Sequence, residues 1–227
     1  MTTHHSSERL SQLPPLENGD RLTRAEFERR YSAMPQLKKA ELIEGVVYVS
    51  SPVRVIHSQP HADIMTWLGV YRAATPGVAA YDNPTVRLDA DNEPQPDAVL
   101  RRETGGQSRI SADGYLEGAV ELTVEIAASS TSYDLHDKLR VYRRNGIPEY
   151  LVWRTYSQQL DWFYLEDETY KPLLPDEAGI LRSRVFPGLW LAGNPLLSGD
   201  LPAVLATLQQ GIHSSEHQQF ISQLQQP

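Results

Sequence analysis

The sequence predicts one α/β domain, a mixed β-sheet flanked by helices. Three observations lead there. From residue 60 to residue 153 the apolar periodicity reads helix, strand, strand, strand, helix, strand, with a β-hairpin before it and helices after it. Hydrophobic residues fill 40% of the 227 positions, enough for a sizeable core and too many for global disorder. No internal repeat or clean inter-domain linker interrupts the chain. Three stretches are therefore expected: a flexible arm over 1–20, the main domain over 21–195, and an amphipathic helical extension over 196–227.

The arm is polar and proline-bearing, and its two histidines, His4 and His5, are too few to read as a tag. Thr23 suits the N-cap of a short helix, TRAEFERRYSAM, with Glu26 completing a capping-box pattern and Pro35 ending it. ELIEGVVYVSSP (41–52) alternates and is β-branched, and Gly45 divides it into two short strands or a hairpin. From Pro60 the pattern turns helical through Ile64, Met65, Leu68 and Tyr71, and Pro76-Gly77 closes that helix. Strands are expected at NPTVRLD (83–89), PDAVLRR (96–102) and AVELTVEIA (119–127), the last two separated by a polar, glycine-bearing loop. Ser132 can cap a helix from Tyr133 to Arg144, which Asn145-Gly146 stops. The strand EYLVWR and the hairpin QLDWFYLEDETYKPL follow. Near the end, Leu201, Val204, Leu205 and Leu208 make one apolar stripe and Phe220, Ile221 and Leu224 another. Packing on the chain's own sheet is the favoured use of these stripes, with a dimer seam as the alternative.

Composition restricts the function. Twenty-one basic residues against 29 acidic ones leave a net charge of −8. A protein that grips a polyanion by charge alone is normally basic, so any nucleic-acid binding needs a local basic patch or bound cations. The absence of cysteine rules out a disulfide framework and thiolate chemistry. No apolar run suits a membrane span and no signal-peptide core is visible, so a cytoplasmic protein is expected. There is no glycine-rich phosphate loop, no HExxH and no nucleophile elbow.

Three residues hold the chemical interest. Alternation puts Glu121, Thr123 and Glu125 on one face of their strand and Val120, Leu122, Val124 and Ile126 on the other. Taken singly, Glu125 reads as an edge charge, Asp97 as a turn residue beside Pro96, and Lys138 as the partner of Asp134 one helical turn earlier. Together they suggest more. An Asp at the start of one strand and a Glu at the end of the next converge on one cation if the strands are adjacent. Magnesium accepts one or two carboxylates plus water and substrate phosphate. A neighbouring lysine can orient or help deprotonate the attacking water and offset charge in the transition state.

Asp97, Glu125 and Lys138, in this order of elements, resemble the PD-(D/E)XK nuclease superfamily. More narrowly, ELIEG (41–45), His61, PQPDAVL, VELTVEIAASST, the Asp134/Lys138 pair and YRRNGIPEYLVW resemble the Uma2 family, over roughly residues 23–170. The resemblance implies a restriction-endonuclease-like core and an endonuclease that uses Mg²⁺ or Mn²⁺ to cut DNA. On this match Asp97 and Glu125 are the metal-binding carboxylates and Lys138 is the catalytic lysine. The wider superfamily places that lysine two residues after the Glu, where this chain has Ala127. Glu41 matches the family's acidic position although Ala40 replaces the usual aromatic residue. Glu44 competes with it from the opposite strand face, and Glu41 is favoured. His61 reads either as a supporting or phosphate-contacting residue or as a structural one. Asp134 and Tyr142 are further candidates around the site, while Tyr142, Tyr150 and Trp153 also suit packing of helix on sheet. Arg54, Arg87, Arg101, Arg102, Arg140, Arg143 and Arg144 could meet a phosphate backbone. Analogy with restriction enzymes also implies a homodimer. Two other functions stay open: a catalytically silent binding module, favoured by the acidity, and a hydrolase of a small phosphorylated substrate.

Overall fold

The computed structural model describes residues 13–50, 54–128 and 130–226. Most of the predicted arm, including His4 and His5, lies outside the described residues. Its last part is held in place: Leu16 is buried in a cluster with Phe27, and the Gly19 amide donates to the Val47 carbonyl.

Helix α1 (Arg24–Ser32) starts where Thr23 Oγ1 accepts the Glu26 amide. Only half of the capping box forms, because the Glu26 carboxylate turns to Arg29 and Arg30. Strands β1 (Ala40–Ile43) and β2 (Val46–Val49) make a hairpin. Its two turn residues, Glu44 and Gly45, both have positive φ (50° and 74°), the conformation a two-residue hairpin loop requires. Helix α2 (Val55–Ala74) begins ahead of the expected Pro60 boundary and carries that proline inside it. A proline this close to the N-terminus forfeits a single hydrogen bond, which the rest of a long helix tolerates.

Next come β3 (Val78–Asp82), β4 (Val86–Arg87), β5 (Ala98–Arg102), β6 (Arg109–Ile110), β7 (Leu116–Glu117) and β8 (Leu122–Ala127). A helical segment follows, made of α3 (Thr131–Tyr133), a π turn (Asp134–Lys138) and α4 (Leu139–Arg144). Gly146, at φ 74°, ends it in a Schellman motif, with Ile147 N donating to Tyr142 O and Gly146 N to Arg143 O. Strands β9 (Glu149–Arg154), β10 (Gln159–Glu166), β11 (Thr169–Pro172), β12 (Ile180–Arg182) and β13 (Trp190–Ala192) lead to α5 (Gly193–Leu197), α6 (Leu201–Ile212) and α7 (Ser215–Leu224).

The central sheet has six strands in the order β11-β10-β9-β8-β5-β3. Only β8 and β9 are parallel, and the α3–α4 segment makes the crossover between them. This is the predicted α-β-β-β-α-β core, with one correction. Its first strand is β3, not residues 83–89. Pro84 has no amide to give a ladder and Asn83 sits at φ 48°, so the chain turns there. Val86 and Arg87 pair instead with β7 in a small three-stranded sheet. The expected polar loop after β5 supplies β6, also part of that sheet.

Both faces of the central sheet are covered. On one, Leu122, Val124 and Ile126 pack with Ile64, Trp67 and Leu68 of α2 and with Val204 and Leu208 of α6. Phe220 meets Phe186 edge-on within the same core. Leu201, Leu205 and Leu224 pack against this core as well, so both C-terminal stripes contribute to the chain's own fold. On the opposite face Val99 and Val152 pack with Val141, Tyr142 and Tyr150 beneath α4. Among the described residues no helix is long and apolar enough to cross a membrane.

Candidate active site

Register alone brings the first two carboxylates together. Strands β5 and β8 are antiparallel with Ala98 opposite Val124, so the next step sets Asp97 opposite Glu125, and opposed residues project to the same face. The Ile126 amide donates to Asp97 Oδ2 at 2.7 Å, extending the ladder through a side chain. Asp97 is 4% exposed and Glu125 3%.

Lys138 reaches Glu125 from the π turn. Its Nζ lies 2.8 Å from Glu125 Oε1, 2.9 Å from Glu41 Oε1 and 3.7 Å from Asp134 Oδ1. The expected surface pair of Asp134 and Lys138 is therefore buried, each residue only 2% exposed. A π turn holds one more residue than an α turn, so it re-aims the side chains that follow, and such turns recur at functional sites. Tyr142 belongs both to the packing and to the cluster: its ring meets Tyr150 edge-on, and its hydroxyl donates to Glu125 Oε1 at 2.9 Å. Ser130 Oγ donates to Asp134 Oδ2. Ala127 is buried on the α4 side of the sheet.

Of the two competing glutamates, Glu41 is the one at the cluster, fixed by the Gln95 amide at 2.7 Å. Glu44 sits in the hairpin turn, where it pairs with Arg140 and Arg144. His61 Nε2 is 2.9 Å from the Asp97 carbonyl and 3.1 Å from Asp82 Oδ1, so it braces the start of β5 rather than joining the carboxylates. Of the seven candidate arginines, Arg54 lines the cleft. Arg87 is engaged by Glu28 and Asp113, Arg101 by Ser108, Arg102 by the Val185 carbonyl, and Arg143 by the Glu168 carbonyl.

Two site residues had not been singled out. Lys39 Nζ lies 3.1 Å from Asp97 Oδ1, and His57 Nε2 lies 3.1 Å from Asp97 Oδ2. His57 left a signal, since it stands one helical turn before His61. That signal counts only once α2 is known to begin before Pro60. Lys39 left none, being 58 positions from its partner.

These contacts set the protonation of the site. Burial pushes the Glu125 carboxyl up, Lys138 pulls it down, and Asp97, Asp134 and Glu41 push it up again. Burial raises Asp134 likewise. Burial works against the charge on Lys138, yet Glu125, Glu41 and Asp134 outweigh it and hold the ammonium well above the ordinary lysine value. Asp97 goes the other way. Burial opposes its charge, but His57, Lys39 and the Ile126 amide keep it well below the usual carboxylate range.

The cluster forms the floor of a cleft of about 860 Å³ walled by Tyr48, Tyr133 and Tyr156. Its donors are hard oxygens: Glu41, Asp97, Glu125 and Asp134 are buried there against two lysines, Lys39 and Lys138. Oxygen donors of this kind are the ones a hard divalent cation takes. Among the described residues no three acidic or histidine side chains gather to enclose an ion unaided. A cation on Asp97 and Glu125 would complete its shell with water and substrate, which is how magnesium is usually held. The donor set fits Mg²⁺ or Mn²⁺.

Comparison with known proteins bears on the family and the fold. The family model Uma2, described as "Putative restriction endonuclease", matches residues 24–194. No curated protein matches the chain. Among solved structures, the chain is similar to one titled as a "putative nuclease belonging to DUF820" from Anabaena variabilis. The TM-score is 0.58 at 13% identity, covering 75% of this chain and 96% of that one. At that identity the likeness shows a shared fold.

Proposed function

The chain belongs to the Uma2 family, and on that premise we propose that it is an endonuclease that hydrolyses DNA phosphodiester bonds with Mg²⁺ or Mn²⁺ held by Asp97 and Glu125. One observation carries the proposal. Glu41, Asp97, Glu125 and Lys138 come from four separate parts of the chain and meet, each 4% exposed or less, on the floor of an open cleft. Burying that many charges costs stability, and packing alone gives no reason for it.

A cation bound there would polarise the phosphodiester, lower the pKa of its water and steady the leaving oxygen. The protein's own residues prepare the place. Asp97 stays ionised and is oriented by the Ile126 amide. Glu125 is aimed by two donors, Lys138 Nζ and the Tyr142 hydroxyl. Glu41 holds Lys138 from the other side. Because its ammonium is stabilised so strongly, Lys138 keeps its protons at neutral pH. It therefore offsets charge and positions its neighbours rather than deprotonating water. His61 acts at one remove by holding the Asp97 backbone.

A second reading has some support. The cleft's volume falls in the range of small-molecule pockets, and a net charge of −8 with, among the described residues, one arginine on the cleft offers little grip on a long polyanion. Hydrolysis of a small phosphorylated compound would use the same residues.

Cleavage of supercoiled plasmid and of labelled single-stranded DNA, with EDTA, Mg²⁺ or Mn²⁺, separates these readings. Metal-dependent nicking that is lost in both Asp97→Ala and Lys138→Ala supports the endonuclease. Activity surviving Asp97→Ala overturns the site. No cleavage with intact Mn²⁺ binding by calorimetry favours the small substrate, and loss of both leaves a silent binding module. Sedimentation of the same sample tests the pairing of two copies that cutting both strands would use.

A further inference from the structure

Two lysines serve the acidic pair, and they are placed very differently. Lys138 Nζ is ringed by three carboxylates, and its side chain is 2% exposed. Lys39 precedes β1 at the edge of the cleft, with its side chain 23% exposed. Its Nζ contacts Asp97 Oδ1 at 3.1 Å and Asn83 Oδ1 at 3.5 Å.

The two oxygens of Asp97 are also unlike. Oδ2 is committed to the fold, accepting the Ile126 amide and facing His57. Oδ1 meets Lys39, its one partner among the described residues. A cation drawing on Asp97 through Oδ1 would have an ammonium group already in its place, and two positive charges on one oxygen repel strongly. The lysine has somewhere to go. Its stem is flexible and part-exposed, and its ammonium is readily hydrated.

We propose that Lys39 is a tethered counter-ion of Asp97 that a divalent cation displaces, and that the displaced ammonium then contacts a phosphate oxygen of the bound substrate. This inference rests on the metal-dependent reading above. It also answers the charge problem set by composition: a protein of net charge −8 acquires a mobile cation beside the reacting phosphate only when the metal is present. Lys39 and Lys138 then divide the work. Lys138 stays with the carboxylates, and Lys39 passes from carboxylate to substrate.

Calorimetric titration of the full chain with Mn²⁺ tests the first half. Lys39→Met has no ammonium to displace and should bind Mn²⁺ about tenfold tighter than wild type. A gain in binding is not something a misfolded variant produces. Lys38→Met makes the same change in net charge one residue away, at an exposed position, and should leave Mn²⁺ affinity near wild type. The second half is read with an eight-residue oligothymidylate in the presence of Ca²⁺. Lys39→Met should bind it about tenfold more weakly, with a shallower dependence on salt. Mn²⁺ affinity that is unchanged or weaker in Lys39→Met, or a gain matched by Lys38→Met, overturns the counter-ion. Unchanged oligonucleotide affinity overturns the phosphate contact. Failure of wild type to bind Mn²⁺ would instead sink the metal-dependent reading on which both depend.

Discussion

Replacing Lys138 by methionine keeps most of the side chain's length and removes its charge. In the native fold that charge sits 2.8 Å from Glu125, 2.9 Å from Glu41 and 3.7 Å from Asp134, all three buried. Each contact is worth about 5 kcal/mol gross at an effective dielectric of about 20. Desolvation of the ammonium cancels much of this, and removing one partner of a buried ion pair costs about 3–5 kcal/mol net. The carboxyls have an escape: they can protonate. Glu125 and Asp134 already lie above their ordinary values of 4.5 and 3.8. A carboxyl whose folded pKa is raised binds more protons folded than unfolded, so stability falls as pH rises from the unfolded value through the folded one. Without Lys138 the folded values rise further and the fall steepens. Lys138 is itself charged across this whole range, so its own titration contributes no slope. The loss in Lys138→Met should therefore be about 3–5 kcal/mol near pH 8 and shrink to about 1–2 kcal/mol near pH 5. Urea unfolding at the two pH values, followed by tryptophan fluorescence, measures it. A loss that is equal at both, or below about 1 kcal/mol at pH 8 as for a surface pair, would refute the argument. The double variant Lys138→Met/Glu125→Gln should recover part of the loss, because it removes one stranded charge.

Two other regions are open to test. A Cβ on Gly211 would lie 2.2 Å from the Gly188 carbonyl oxygen and 2.8 Å from the Trp190 ring, so Gly211→Ala should lose about 1–3 kcal/mol through overpacking. Calorimetric melting reads this, and an unchanged Tm would contradict the close approach. His217 is fully buried between the Ile212 carbonyl and Thr75, and burial lowers its pKa below the ordinary 6.5. The unfolded chain then takes up the proton first, so this residue's contribution is present above pH 6.5 and declines as pH falls below it. The difference in Tm between wild type and His217→Gln should narrow from pH 7.5 to pH 5; a constant gap would mean that His217 does not titrate this way.

The site was partly legible before folding, for a local reason. Asp97 and Glu125 belong to segments whose alternation defines a face, so adjacency of two strands was enough to bring them together. Glu41 and Glu44 differ by three positions, and the turn conformation that Gly45 favours sends the second outward to Arg140. Other readings failed where local chemistry was ambiguous. VAAYD lacks alternation and carries two small alanines, yet it forms the sheet's edge strand β3. NPTVRLD alternates well, yet Pro84 and the turn at Asn83 divert it to a satellite sheet. Pro60 marked a helix start that lies at Val55.

The sequence by itself determined the α/β class, the order of the core elements, and the tension between a charge of −8 and any polyanionic partner. These follow from periodicity and composition, which are properties of short windows or of the whole count, whereas the grouping of Asp97 and Glu125 with Lys138 rests on the family resemblance. Only the tertiary structure decided that Lys138 is buried among three carboxylates, that a π turn delivers it, and that Lys39 and His57 close on Asp97 from 58 and 40 positions away. Those meetings depend on how the β1–β2 hairpin and the first turn of α2 dock against the sheet. Docking is set by the packing of the whole core, and no short stretch of sequence encodes it.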